Sequence, residues 1–212
     1  MDQIIDIGVK CAKCGVKFNT RQMGVIFDTG YRNSELRHCP NNGTSVRTEP
    51  YIVATCPSCG RSDWATNFQI IEETPQSNQQ NSPAHLQYRA AAIEGEREGA
   101  PWFNVALLYL HAAWCADDAR AIPQSREYRK LAADAFRKSL LDDSIPAQEL
   151  MEVQYLIGEI LRRAGDFAGS ISYFKEMVPR LSSQYAFMAR KLIRLAEQQD
   201  TNPIDFERVG AN

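Results

Sequence analysis

Histidine is scarce in this chain. Three histidines stand among 212 residues, at positions 38, 85 and 111, in unrelated contexts. The HExxH metalloprotease motif, serine and threonine nucleophile motifs and phosphate-cradling glycine loops are all absent. No feature supplies a reaction, so a non-catalytic protein is expected. Long apolar runs are missing too, none approaching the roughly 18 residues that span a bilayer. The segment MDQIIDIGVK carries two acids and lacks the basic start, apolar centre and cleavage site of a secretory signal. A cytoplasmic protein is expected, in a compartment that keeps thiols reduced. Charge excess is also lacking: 24 Lys and Arg face 26 Asp and Glu, for a net charge of −2. That balance exerts no general pull on nucleic acid or on an anionic membrane.

Cysteine is what the chain does supply. Four of its six cysteines lie in two copies of one pattern, CAKCG at 11–15 and CPSCG at 56–60. Two residues between cysteines, with Gly after the second, form a zinc knuckle, whose tight turn aims both sulfurs at one point. Gly suits the turn's end because that position often needs positive φ. A structural zinc takes four ligands in a tetrahedron at about 2.3 Å. Cys11, Cys14, Cys56 and Cys59 provide that number. The gap of 41 residues between the pairs exceeds the roughly 15–20 of the simplest four-cysteine pattern, yet a hairpin can return one knuckle to the other. Seventy residues with few strands make a marginal core, and a structural zinc contributes on the order of 10 kcal/mol to such a module. Iron would use the same four sulfurs. A thiol–disulfide pair is the other chemistry open to CxxC, but it favours a helix start within a βαβ unit, and neither knuckle precedes one. Cys39, beside His38, reads as a turn thiol that can lie near the metal. His111 and Cys115, four apart on an apolar helical stretch, read as a buried core pair.

The chain changes grammar near residue 72, and the expected class is α+β: a small zinc-ribbon-like β module over 1–72, then an all-α domain of helical hairpins over 84–200. MGVIFDTG (23–30), EPYIVATC (49–56) and WATNFQII (64–71) read as strands, with a reversal at HCPNNGTS (38–45). EETPQSNQQNSP (72–83) is polar and amide-rich, and a linker is expected over 73–83. Six helices follow, over 84–98, 102–119, 125–141, 148–165, 167–180 and 183–200, with Ser125 as a cap of the third and Gly165 ending the fourth. A tail occupies 201–212.

The helical part repeats. A shift of 38 residues lays Ala132, Phe136 and Leu140 over Ser170, Phe174 and Val178. Within the clearer copy, Gly158 and Ser170 lie 12 apart around a turn at Gly165-Asp166, with Phe174 one helical turn beyond. This resembles the tetratricopeptide repeat, with its small residues and aromatic at fixed positions in a helical hairpin. No Trp opens the repeat, and the earlier copy carries a longer loop around 117–124. Any amphipathic hairpin shows similar spacing, so a plain helical bundle stays open.

Taken in order, CxxCG followed by Phe18, a strand, Cys39-Pro40, a strand entering CPSCG and then helical repeats resemble the bacterial domain-of-unknown-function 2225 family. PYIVATCPSCG is the most specific part, and YLIGEILRRAGDFAGSISYFKEM supports it; Arg61 stands where an aromatic is expected. The resemblance, over roughly 8–195, implies a zinc-binding module joined to tetratricopeptide-like helices, and no activity. A zinc-binding adaptor is therefore expected, holding a protein or peptide on the concave face of its helices. A nucleic-acid-binding ribbon is the alternative, through Lys10, Lys13, Lys17 and Arg21, although eight acids match eight bases over residues 1–73. A CxxC redox enzyme is the third reading. Arg162, Arg163, Arg190, Lys191 and Arg194 read as a solvated face, or as a dock for an acidic peptide.

Overall fold

The computed structural model describes residues 4–24, 30–40, 47–72 and 82–206. Among the described residues seven short strands precede six helices, an α+β arrangement as expected. The first strand, β1 (Ile4–Lys10), is rich in β-branched residues and pairs antiparallel with β2 (Lys17–Met23), from Ile4 opposite Met23 to Lys10 opposite Lys17. The CAKCG turn is thus the end of a hairpin. β3 (Gly30–Arg32) and β4 (His38–Pro40) make a second ribbon, and β5 (Val53–Thr55) and β6 (Ser62–Trp64) a third, closed by CPSCG. β7 (Gln69–Ile71) returns to the free side of β1.

These strands differ from the expected ones. The segment 23–30 is mostly outside the described residues, as are 41–46 of the reversal and 73–81 of the linker, and a strand that was not expected lies over 17–23. Pro50 breaks the second expected strand. Glu49–Tyr51 is a 3-10 turn, and pairing begins only at Val53. A second 3-10 turn at Ala65–Asn67 splits the third between β6 and β7. Under the two knuckles Val9, Phe18, Ala54, Ala65 and Phe68 form a small separate core, with the Phe18 and Phe68 rings edge-to-face at 5.4 Å.

The helices are α1 (Ala84–Glu98), α2 (Trp102–Asp118), α3 (Ile122–Ser139), α4 (Leu150–Arg163), α5 (Phe167–Met177) and α6 (Ser183–Glu197). Each packs on the next, which gives a stack of antiparallel hairpins. Gly165 ends α4 at φ +85°, a left-handed conformation that glycine adopts without strain. Asp166 then caps α5 by accepting from the Gly169 N–H. The connection before α3 is shorter than expected. Ile122-Pro123 opens the helix, because Pro is preorganised for the first turn and gives up an N–H that has no helical partner there. Ser125 is therefore inside α3, not at its cap, and its buried hydroxyl donates to Asp117. The small–aromatic spacing of α4 and α5 is a real contact: a Cβ on Gly158 would come within 2.5 Å of the Phe174 ring, and Ser170 donates to the Gly158 carbonyl at 2.8 Å.

An amphipathic helix normally leaves one side wet. Helix α4 leaves none between Tyr155 and Arg162. The β3–β4 turn covers the side that faces away from its helical neighbours, so contacts cross the boundary expected at 73–83. Ser34 donates to Glu159 at 2.6 Å, and the Tyr155 hydroxyl donates to the Ser34 carbonyl at 2.9 Å. Glu35 takes a two-toothed bond from Arg129, with both contacts at 2.7 Å, and a third contact from Arg163 at 3.3 Å. Asp117 on α2 binds the same two arginines at 2.6 and 2.7 Å. Arg37 joins Glu49 and Asp118, each at 2.6 Å. Val53 sits in the helical core itself, and Trp64 packs edge-on against Tyr88 and His111.

Burial alone would raise the Glu35 carboxyl, but Arg129 and Arg163 overcome that and hold it down to about 2. A carboxyl held below its unfolded value stabilises the fold above about 4.5, and that contribution drains away as pH falls toward 2. Acid titration followed by circular dichroism should show helix loss in that window. Glu35→Gln should flatten the response there and cost about 3 kcal/mol at neutral pH, because Arg129 keeps its burial and loses a charged partner. Gly158→Ala forces the Phe174 ring to shift and should lower stability by roughly 1–3 kcal/mol in denaturant melts.

Candidate metal centre

The two knuckles are built alike. In the first, Cys11 donates its N–H to Val16 at 3.0 Å and Gly15 donates to Cys11 at 2.8 Å. In the second, Cys56 donates to Arg61 at 2.8 Å and Gly60 donates to Cys56 at 3.0 Å. Gly15 and Gly60 both take left-handed φ, at +75° and +73°, as the motif required. Each turn then directs a backbone N–H at the thiol it carries, Val16 toward Cys14 and Arg61 toward Cys59. Such donors favour a thiolate. The Val16 bond is the chief reason that the Cys14 thiol is drawn down to about 7, while burial pushes Cys56 up to about 12.

All four sulfurs lie within 4.8 Å of one another. Cys11 Sγ is 3.7 Å from Cys59 Sγ, and Cys14 Sγ is 3.6 Å from Cys56 Sγ. A tetrahedron with sulfurs about 2.3 Å from its centre has edges of about 3.8 Å, so the donor set fits a tetrahedral ion. Both short edges join different knuckles. Among the described residues this is the one group of His, Cys, Asp and Glu close enough to hold a metal ion.

Cys39 and His38 are not in it. They lie on β4, and the Cys39 thiol faces the Arg37 carbonyl at 3.7 Å. Cys115 is buried in the helical core as expected, and His111 packs half-buried among aromatic rings. Trp64, Tyr88 and Trp114 surround the His111 ring at 4.8–5.5 Å, and burial draws its imidazole down to about 4. Arg61, in place of the expected aromatic, pairs with Asp63 at 2.9 Å. The basic cluster around the first knuckle is partly neutralised, since Lys13 binds Glu94 of α1 at 2.9 Å and Arg21 lies 3.5 Å from Asp6. What the motif could not reveal is its surroundings. Lys13–Glu94 and the Thr55–Gln87 hydrogen bond at 3.1 Å tie both knuckle hairpins to the first helix, and no periodicity in the sequence announces either.

A closed four-thiol cluster between strand hairpins, docked on a stack of paired helices, defines an α+β protein able to hold a metal ion in a site without an open ligand position. The chain belongs to the DUF2225 family, described as an uncharacterized protein conserved in bacteria, whose model matches residues 88–202, more than half of the chain. That match covers helices and none of the four knuckle cysteines, so it rests on different residues from the PYIVATCPSCG resemblance. No curated protein and no solved structure matches the chain. Among the described residues no helix is long and apolar enough to cross a membrane.

Cys56→Ser removes one of four donors and should cut bound metal at least tenfold by elemental analysis. Loss of the metal should also weaken amide-exchange protection in α1, because Lys13, Thr55 and Trp64 brace that helix from the knuckle side.

Proposed function

We propose that this protein is a non-catalytic, zinc-binding adaptor of the cytoplasm that holds a protein partner through its tetratricopeptide-like helices. The observation that carries the reading is the sulfur cluster, in which four donors from two matched turns stand at tetrahedral spacing. Cys11, Cys14, Cys56 and Cys59 would hold the ion. Four thiolates complete its shell and leave no position for a substrate, which supports a structural role. Bound there, zinc would supply cross-linking of two hairpins whose own core is only a few residues across. The Gly158–Phe174 contact and the Ser170 bond supply the close helix approach typical of repeat hairpins that carry interaction surfaces. Iron and a thiol redox role are alternatives on the same sulfurs. The nucleic-acid reading is weakened by the pairing of Lys13 and Arg21 with acids.

Two measurements test the reading. Chain purified without added metal should carry one zinc per molecule; iron there would replace the zinc assignment, and metal-free, oxidised cysteines would replace the structural role with a redox one. The full chain, used as bait in its native cell, should retain protein after nuclease treatment and at high salt. Retention of nucleic acid alone, lost as salt rises, would overturn the adaptor reading.

A further inference from the structure

A concave helical face is open to a partner only when nothing already fills it. Here the chain itself covers one face of α4. After α6 the backbone breaks at Gln199, which takes a left-handed φ of +58°, and residues 200–206 turn back across α4. They lie as an extended strap beside the β3–β4 turn. Asn33 and Asp205 form an antiparallel bridge, Ser34 donates to the Ile204 carbonyl at 2.7 Å, and Phe206 donates to the Arg32 carbonyl at 2.9 Å.

The helices read this strap largely through its main chain. Arg162 donates to the carbonyls of Asp200 and of Asn202, the latter at 2.9 Å. Arg163 donates to the Thr201 carbonyl at 2.6 Å. Apolar side chains are seated too: Phe206, 7% exposed, lies between the Tyr155 and Tyr185 rings at 5.7 and 5.6 Å, and Ile204, half-buried, packs against the helical core. Residues 201–205 between are half-exposed or exposed. Main-chain bonds for affinity and an aromatic pocket for specificity are the means by which proteins capture extended peptides. Arg162 and Arg163 are thus not a solvated face: Arg162 pairs with Glu159, and Arg163 with Glu35 and Asp117, inside the fold, and their remaining N–H groups go to the strap. They are carbonyl readers that the chain keeps occupied.

We propose that this groove is a peptide-binding site held closed in cis by residues 200–206, and that the partner it takes is an extended segment of the strap's own chemistry, Pro–aliphatic–acid–aromatic. The proposal deepens the adaptor reading and rests on it. The strap competes as an intramolecular ligand at an effective concentration in the millimolar range, so a partner must outbid it or engage the protein at a second point.

A fluorescent peptide of sequence DTNPIDF tests this on the full-length chain by anisotropy. Wild type should bind it weakly. Phe206→Ala loosens the strap and should bind it at least tenfold more tightly, while Phe206→Ala with Tyr185→Ala should lose that gain. A peptide with Ala in place of Phe should bind none of the three. The inference is overturned by the absence of peptide binding to Phe206→Ala at 100 µM, by loss of its helical signal, which would make Phe206 an ordinary core residue, or by a concentration-dependent wild-type dimer dissolved by Phe206→Ala, which would make a second copy the occupant. Peptide binding by Phe206→Ala together with failed protein capture leaves the groove standing and removes the adaptor reading. Protein capture without peptide binding does the reverse.

Discussion

Glu35 is the fastener of this structure. A carboxylate at 1% exposure is costly to bury, and it persists because two guanidiniums from different helices meet it. Arg129 belongs to α3 and Arg163 to the end of α4, while Asp117 on α2 binds both. One acidic residue from the strand region therefore fixes the spacing of three helices. The cysteine cluster and the helical stack are consequently not two beads on a string. The knuckles are held to α1, the β3–β4 turn is held to α2, α3 and α4, and Val53 contributes to the helical core.

Legibility in the sequence followed the range of the interaction. The knuckles were readable because two residues between thiols and a following glycine specify a turn locally, and the turns came out with Gly15 and Gly60 in the left-handed region. The six helices were readable from apolar periodicity, including the full extent of α1. Errors fell at positions where a single residue changed the local answer: Pro50 delayed a strand, and Pro123 started α3 early enough to bring Ser125 inside it. β1 is not legible as a strand because Ile4–Lys10 is short and Asp6 and Gly8 interrupt its β-branched residues. The docking of Glu35 was beyond reach. Nothing local distinguishes NSELR from a solvated turn until helices from the far end of the chain close over it.

The same contrast separates the cysteine cluster from the surface that would hold a partner. Four cysteines declare themselves because few other roles fit their spacing. Groove residues such as Tyr155, Glu159 and Arg162 look in sequence like one apolar stripe and its charged margin, and they are indeed mostly buried. What gives them meaning is the extended backbone lying against them. The family match runs over these helices and the first residues of the strap, to residue 202, and not over the four knuckle cysteines.

The Ser34–Ile204 hydrogen bond spans 170 positions of the chain. Synthesis runs from the amino end, so the strands emerge first and their resting place is completed last. Cys11 to Cys59 can gather as soon as Cys59 has cleared the ribosome, long before α4 exists to receive Glu35. Early closure by a bound ion would hold the young hairpins in register through that wait, and would keep their apolar residues from straying to the wrong neighbours.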